Sequence, residues 1–246
     1  MSDAHQRELA YHEKLYSGFA QSHFARPAVR ALRANMVQRI LALTGATRDS
    51  RVLSLGCGIG DTELLLAPHA GEVTGIDLSP AAIRQARADA ERLGIRNARF
   101  ECGTRAEGRF DVVIAIFFLH HLPDDELAAL PHQLREQMPE GGVFYSLDPS
   151  RHRLSGVVGR LLIPQLMKKY QTEDERELEP LETAGLFRSA GWEAQVSMYD
   201  FGSSPVAGLF PGWAGGYRLA RRVDDGLLRW GALARRGSNF EIVARA

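Results

Sequence analysis

Five short β-prone runs, Arg51–Leu55, Glu72–Ile76, Ala98–Cys102, Phe110–Phe117 and Gly142–Leu147, share one stretch of chain with helical segments over Asp61–Ala67, Pro80–Leu93 and Asp124–Met138. This alternation constrains the fold more than any other feature. Parallel strands need a long crossover between them, and a helix is the usual one. Strand and helix in turn therefore predict a doubly wound, mostly parallel sheet with helices on both faces. Phe110–Phe117 reads FDVVIAIF, nearly all apolar, as suits a strand covered on both sides. The punctuation agrees. Ser79-Pro80 offers an N-cap and a proline at the first helical position, and Gly94 stands where a helix ends in a left-handed residue.

The flanks extend this pattern. Residues 5–43 carry Tyr11, Leu15, Phe19, Val29, Leu32, Met36, Ile40 and Leu43 at helical spacing, with a break near Arg26-Pro27. After Ser150 the pattern loosens until about Glu179. A helix over Glu182–Ala190 and strands over Glu193–Tyr199 and Phe240–Ala244 are then expected. The reading is α/β: a Rossmann-like, doubly wound, mostly parallel seven-stranded sheet with an N-terminal helical cap and an insertion after strand five. It forms a single domain over 1–246, divided into a helical cap (1–45), a cofactor-binding core (50–150), a lid or substrate insertion (150–182) and a C-terminal part of the sheet with substrate-side helices (182–246).

Composition narrows the setting. The formal net charge of 246 residues is zero, so no global field draws the chain to nucleic acid or an anionic membrane. Cys57 and Cys102 are the only cysteines. They make neither a disulfide framework nor a structural zinc site, so no metal is expected and a reducing, cytoplasmic setting is. The first thirty residues hold no apolar block of a secretory signal, and no run approaches the roughly 20 apolar residues of a membrane span.

The first strand runs into VLSLGCGIGDTELL, residues 52–65. In open α/β sheets a ligand sits at the carboxyl ends of the strands, where strand order reverses. Gly56 and Gly58 remove Cβ atoms there and allow close approach to the backbone. Asp77, at the end of the second strand, is placed to accept hydrogen bonds from both hydroxyls of a ribose. The dinucleotide pattern G-x-G-x-x-G nevertheless fails, because the third glycine falls one place early, at Gly60, and Asp61 takes its position. No Gly-Lys-Ser/Thr triphosphate loop is present either, and Asp61 would repel a pyrophosphate. A nucleoside without phosphate, carrying positive charge, fits better. S-adenosylmethionine is such a molecule.

VLSLGCGIGDTELLL followed by VTGIDLSPAAIRQAR resembles the class I S-adenosylmethionine-dependent methyltransferases of the small-molecule type. FDVVIAIFFLHHLPDDEL resembles their fourth strand and His-His turn, and LREQMPEGGVFYSLDPS their fifth-strand segment, with one extra residue in Pro139-Glu140-Gly141-Gly142. The likeness is strong over residues 50–150 and weak over 180–246. It implies S-adenosylmethionine as cofactor, with contacts from Gly56, Cys57, Gly58, Asp77, Leu78, Gly103, Thr104, Ile116 and Phe117. After the third strand the family often has an acid; this chain has Gly103-Thr104-Arg105, so the Thr104 hydroxyl is the candidate there. His120, His121 and Asp148, on the rim after strands four and five, are the candidates for proton transfer, since histidine titrates near neutral pH and a carboxylate fixes its tautomer. Tyr16 and Phe19 are candidates for closing over the substrate.

The acceptor is expected to be a small, largely apolar molecule such as a natural product, a quinone or a lipid-like compound, methylated by in-line transfer, with a hydroxyl as one acceptor. SSPVAGLFPGWAGGY (203–217) and RLSGVVGRLLIPQLM (153–167) read either as its pocket or as ordinary packing. Arginines interleave with apolar residues after Arg218, as in a helix lying on a membrane surface or a solvated helix packed on the sheet. Two other functions compete: an RNA methyltransferase using that basic end, though Asn/Asp-Pro-Pro-Tyr and catalytic-cysteine motifs are missing, and a non-catalytic sensor of the cofactor. The oligomeric state is not encoded in any motif.

Overall fold

The structure is a computed structural model that describes residues 25–153, 177–230 and 236–246. Among these residues the elements run, in chain order, α1 (Pro27–Thr44), β1 (Arg51–Leu55), α2 (Asp61–Leu66), β2 (Glu72–Asp77), α3 (Pro80–Leu93), β3 (Ala98–Cys102), β4 (Val112–Ile116), α4 (Asp124–Gln137), β5 (Val143–Pro149), α5 (Pro180–Ser189), β6 (Glu193–Asp200), α6 (Ser203–Leu209), α7 (Ala214–Leu227) and β7 (Asn239–Arg245). The seven strands form one sheet in the order β3-β2-β1-β4-β5-β7-β6. β1 to β5 pair in parallel, and β7 lies antiparallel between β5 and β6. The mostly parallel, seven-stranded sheet read from the sequence is therefore the one observed.

Local chemistry accounts for most boundaries. The Ser79 side chain accepts from the Ala82 amide at 3.2 Å and opens α3, which closes on Gly94 at φ 67°. Gly45, at φ 73°, closes α1 in the same left-handed way. The expected strand Phe110–Phe117 is trimmed to Val112–Ile116, and at its far end Phe117, at φ 54°, leaves the extended conformation. α6 was not expected; it folds from the glycine-rich stretch 203–217. α7 is the helix read in the arginine-rich stretch after Arg218, and it starts earlier, at Ala214.

Alternation along β4 builds the two cores. Val112, Ile114 and Ile116 face α1, the end of α2, Tyr145 and Tyr217, while Val113 and Ala115 face Leu127, Leu130 and Leu134 of α4 and Phe187 of α5. Phe187 stacks on Phe144 at 4.6 Å between ring centres. α1 is thus a layer of the sandwich, with Met36 and Ile40 fully buried against the sheet. A third cluster joins α3 to Cys57 and Phe100. Of the expected insertion (150–182), residues 154–176 lie outside the described residues, as do residues 1–24 of the expected cap (1–45).

Candidate active site

The chain passes from β1 outward to β2 and β3 on one side, and from β4 to β5 on the other, so the strand order reverses between β1 and β4. The carboxyl ends of those two strands frame a crevice. Four loops meet there: the glycine turn after β1, Asp77-Leu78 after β2, Phe117 to His121 after β4, and Asp148 at the end of β5.

The glycine turn takes its shape from three left-handed residues, Gly56 at φ 65°, Gly58 at φ 53° and Gly60 at φ 74°, a conformation costly for other residues. Its physical need for glycine differs in part from the expectation. The space a Cβ would take at Gly56 belongs to the Phe118 ring, and at Gly60 it belongs to Phe100, 2.7 Å away. Gly56 and Gly60 thus serve the protein's own packing as well as the turn. Cys57 contributes backbone only. Its side chain is buried against Gly75 and Phe100, and burial raises the thiol well above its ordinary range, so it is no nucleophile.

Asp77 anchors this turn. One carboxylate oxygen accepts from the Gly58 amide at 2.9 Å, the other from the Ser79 amide at 2.8 Å. A carboxylate offers about four acceptor positions, so each oxygen keeps one for a diol. Gly103 donates to the Asp77 carbonyl at 3.0 Å, which sets the loop after β3 beside Asp77 and Leu78. Thr104 is exposed on that loop. The Cys102 thiol meets the Leu78 carbonyl at 3.5 Å.

Asp61 does not carry its charge alone, as the sequence had suggested. Arg33 of α1 pairs with it at 2.7 Å, with both side chains largely shielded. The same guanidinium lies 5.9 Å from the Phe117 ring centre. Repulsion from Asp61 is therefore partly cancelled, and the case against a pyrophosphate rests on the missing third glycine and the missing lysine. Arg33 carries no local sequence signal. Phe117 itself has φ 54°, the one left-handed residue other than glycine among the described residues. Such strain persists where the surroundings over-determine a conformation, and it is concentrated at functional sites.

On the other side of the crevice, His120 Nδ1 lies 2.9 Å from an Asp148 carboxylate oxygen. The same oxygen accepts from the His120 amide at 3.3 Å. Asp148 is fully buried and His120 is 7% exposed. The carboxylate holds a proton on Nδ1 and leaves Nε2 as the basic nitrogen. His121 stacks against His120 at 4.0 Å, tilted by 38°. Tyr145 points to the opposite face and donates to Glu241 at 2.7 Å, so it belongs to the packing. Of the named residues, the structure gathers His120, His121 and Asp148 on one side and Gly56, Gly58 and Asp77 on the other. Ile116 and Phe117 lie between them, at the end of β4. Tyr16 and Phe19 fall outside the described residues. Phe118, missed in the sequence, packs over the turn.

Among the described residues this set of groups fits a nucleoside: a carboxylate with acceptor positions left for a diol, and neither the third glycine nor the lysine of a phosphate cradle. Comparison with known proteins agrees. Residues 52–142 match the methyltransferase domain family. A ubiquinone biosynthesis O-methyltransferase of Aromatoleum aromaticum is 30% identical over 174 residues, covering 67% of this chain and 71% of that protein. Magnesium protoporphyrin IX methyltransferase from Synechocystis PCC 6803, solved with bound S-adenosylhomocysteine, superposes with a TM-score of 0.65 at 14% identity, over 97% of this chain and 99% of its own. The DhpI complex with S-adenosylmethionine gives 0.62 at 19% identity over the full length of both chains. Among the described residues no helix is long and apolar enough to cross a membrane. The chain belongs to the class I S-adenosylmethionine-dependent methyltransferases.

Proposed function

We propose that this methyltransferase acts on a hydroxyl of a small, largely apolar acceptor (a natural product, a quinone or a lipid-like molecule). In this reading the glycine turn and Asp77 hold the cofactor, and His120 takes the acceptor proton. The observation that carries it is the buried His120–Asp148 pair at 2.9 Å. A hydroxyl is a poor nucleophile until its proton is removed. Asp148 orients the imidazole and stabilises its cation once the proton has moved to Nε2. When bound, S-adenosylmethionine supplies a methyl group activated by the sulfonium. Asp77 would take the ribose diol, and the loop carrying Phe117 and Phe118 would keep water from the reacting atoms. The relative named for ubiquinone biosynthesis supports an O-linked, apolar acceptor.

The test is a label-partition assay with methyl-labelled S-adenosylmethionine and an extract of source cells. Label is expected in the organic fraction; label confined to RNA or protein would sink the reading. His120→Ala is expected to lower kcat by about 10²–10⁴-fold, the usual weight of a general base, while leaving S-adenosylhomocysteine affinity in place. Asp77→Ala should do the reverse. Hydrogen bonds to a charged group are typically about 1.5–3 kcal/mol each, so calorimetric affinity for S-adenosylhomocysteine should fall more than tenfold. Unchanged affinity would remove Asp77 from the cofactor site.

A further inference from the structure

Eight large hydrophobic side chains are exposed among the described residues, and six of them, Leu209, Phe210, Trp213, Leu219, Val223 and Trp230, fall between the end of α6 and the turn just after α7. They are not scattered. Leu219 and Val223 stand one turn apart on one face of α7, and Trp230 follows three residues past its end. Trp213 lies over Gly216, next to that face, and meets Phe210 edge-on at 6.3 Å. Large apolar groups collected on one surface mark an interaction site.

The charges beside them have one sign. Asp224 is buried and accepts from the Gly202 and Ser203 amides. Asp225 pairs with Arg221 at 2.8 Å. Arg218, Arg222 and Arg229 are exposed, with no ion pair to any described residue. Arg218 and Arg222 edge a groove of about 490 Å³ between α7 and α1, whose lining also includes Ala31, Ala34 and Tyr217; Arg221 in the same groove is held by Asp225 and the Tyr199 carbonyl. An apolar stripe flanked by exposed arginines without an ion pair to a described residue is complementary to an anionic lipid surface. Arg218, Arg222 and Arg229 suit headgroup phosphates, and the stripe suits the acyl boundary.

The surface also has a consistent place. β6 runs parallel to β5, because both are antiparallel to β7. Its end at Asp200 therefore lies on the same edge of the sheet as the crevice. α6 starts from that edge, and the Pro211 carbonyl accepts from Ala28 at the start of α1 at 2.8 Å.

We propose that α7 and the turn before it dock this enzyme onto an anionic bilayer. This stands apart from the identity of the acceptor, since vesicle binding needs no turnover. The experiment is flotation of the full chain with vesicles of phosphatidylcholine alone and of phosphatidylcholine with phosphatidylglycerol, at low and high salt. Binding is expected to the anionic vesicles only, weakening with salt. The tryptophan emission should shift to the blue as Trp213 and Trp230 leave water. Arg218→Gln with Arg222→Gln should lower partitioning roughly thirtyfold, at about 1 kcal/mol per arginine. Leu219→Ser with Val223→Ser should abolish the emission shift. Both pairs should keep the melting temperature and S-adenosylhomocysteine affinity of the parent. No binding to anionic vesicles overturns the proposal. So does a dimer, seen by light scattering, that Leu219→Ser dissociates, or salt-sensitive RNA binding in place of vesicle binding.

Discussion

Glu63 stands one turn into α2, 2% exposed, with one carboxyl oxygen taking the Ser54 hydroxyl at 2.6 Å and the other without a partner. Burial, reinforced by Asp61, pushes it up to about 7 from 4.5; the Ser54 hydroxyl and Arg33 pull the other way. The folded state therefore holds a proton that the unfolded chain has released between those values. Stability is fullest below about pH 4.5 for this group and declines as pH rises to about 7, by up to about 1.4 kcal/mol per unit. Glu63→Gln should flatten the melting temperature across that window, and an unchanged slope in thermal scans would contradict the assignment. Nothing in DTELLL marks Glu63 as buried; short helices carry too few positions to show a face. The Arg33–Asp61 pair was beyond the sequence for a related reason: it joins two helices from separate parts of the chain, and only the fold brings them together. His120, His121 and Asp148 could be grouped from their places at strand ends, with a carboxylate to fix a histidine tautomer; which histidine Asp148 takes could not be read.

Elements were legible in proportion to how locally they are built. α3 announces both of its ends, through Ser79-Pro80 and Gly94, and the structure follows the expected limits. α6 has no such signal. Its first amides are satisfied from elsewhere: Asp200 on β6 accepts from Ser204 at 2.6 Å, and Asp224 on α7 accepts from Ser203 at 2.8 Å. Asn239 of β7 in turn donates to Asp200 at 2.8 Å. A helix capped by another helix and by two strands reads, in isolation, as glycine-rich loop. Asp224→Ala removes bonds to a buried carboxylate and leaves the Gly202 and Ser203 amides bare. It should cost about 3 kcal/mol. That corresponds to a melting-point fall of roughly 6–12 °C in differential scanning calorimetry for a chain of this size. A shift within error would mean that α6 is held by its packing alone.

At the scale of the molecule, the two cores meet through the sheet, and β7 is what ties the edge strand β6 to its five parallel strands. It pairs with β5 over Val143–Pro149 and with β6 over Glu193–Asp200. Phe240, Ile242 and Ala244 are fully buried, as is Glu241, which gathers Arg39, Tyr145 and Ser197. Deleting residues 239–246 should therefore abolish cooperative unfolding altogether, where loss of an edge strand would only lower the melting temperature. A retained sharp transition in circular dichroism would count against this. The same arrangement bears on how the chain is made. β5 leaves the ribosome early, and everything from Ser150 to Ser238 must follow before its neighbour exists. At about 5–20 residues per second that is a wait of several seconds. Throughout it the nascent chain presents an apolar strand with one open edge. The enzyme's most hazardous moment is its own biosynthesis, and a holding chaperone would have its natural grip at β5.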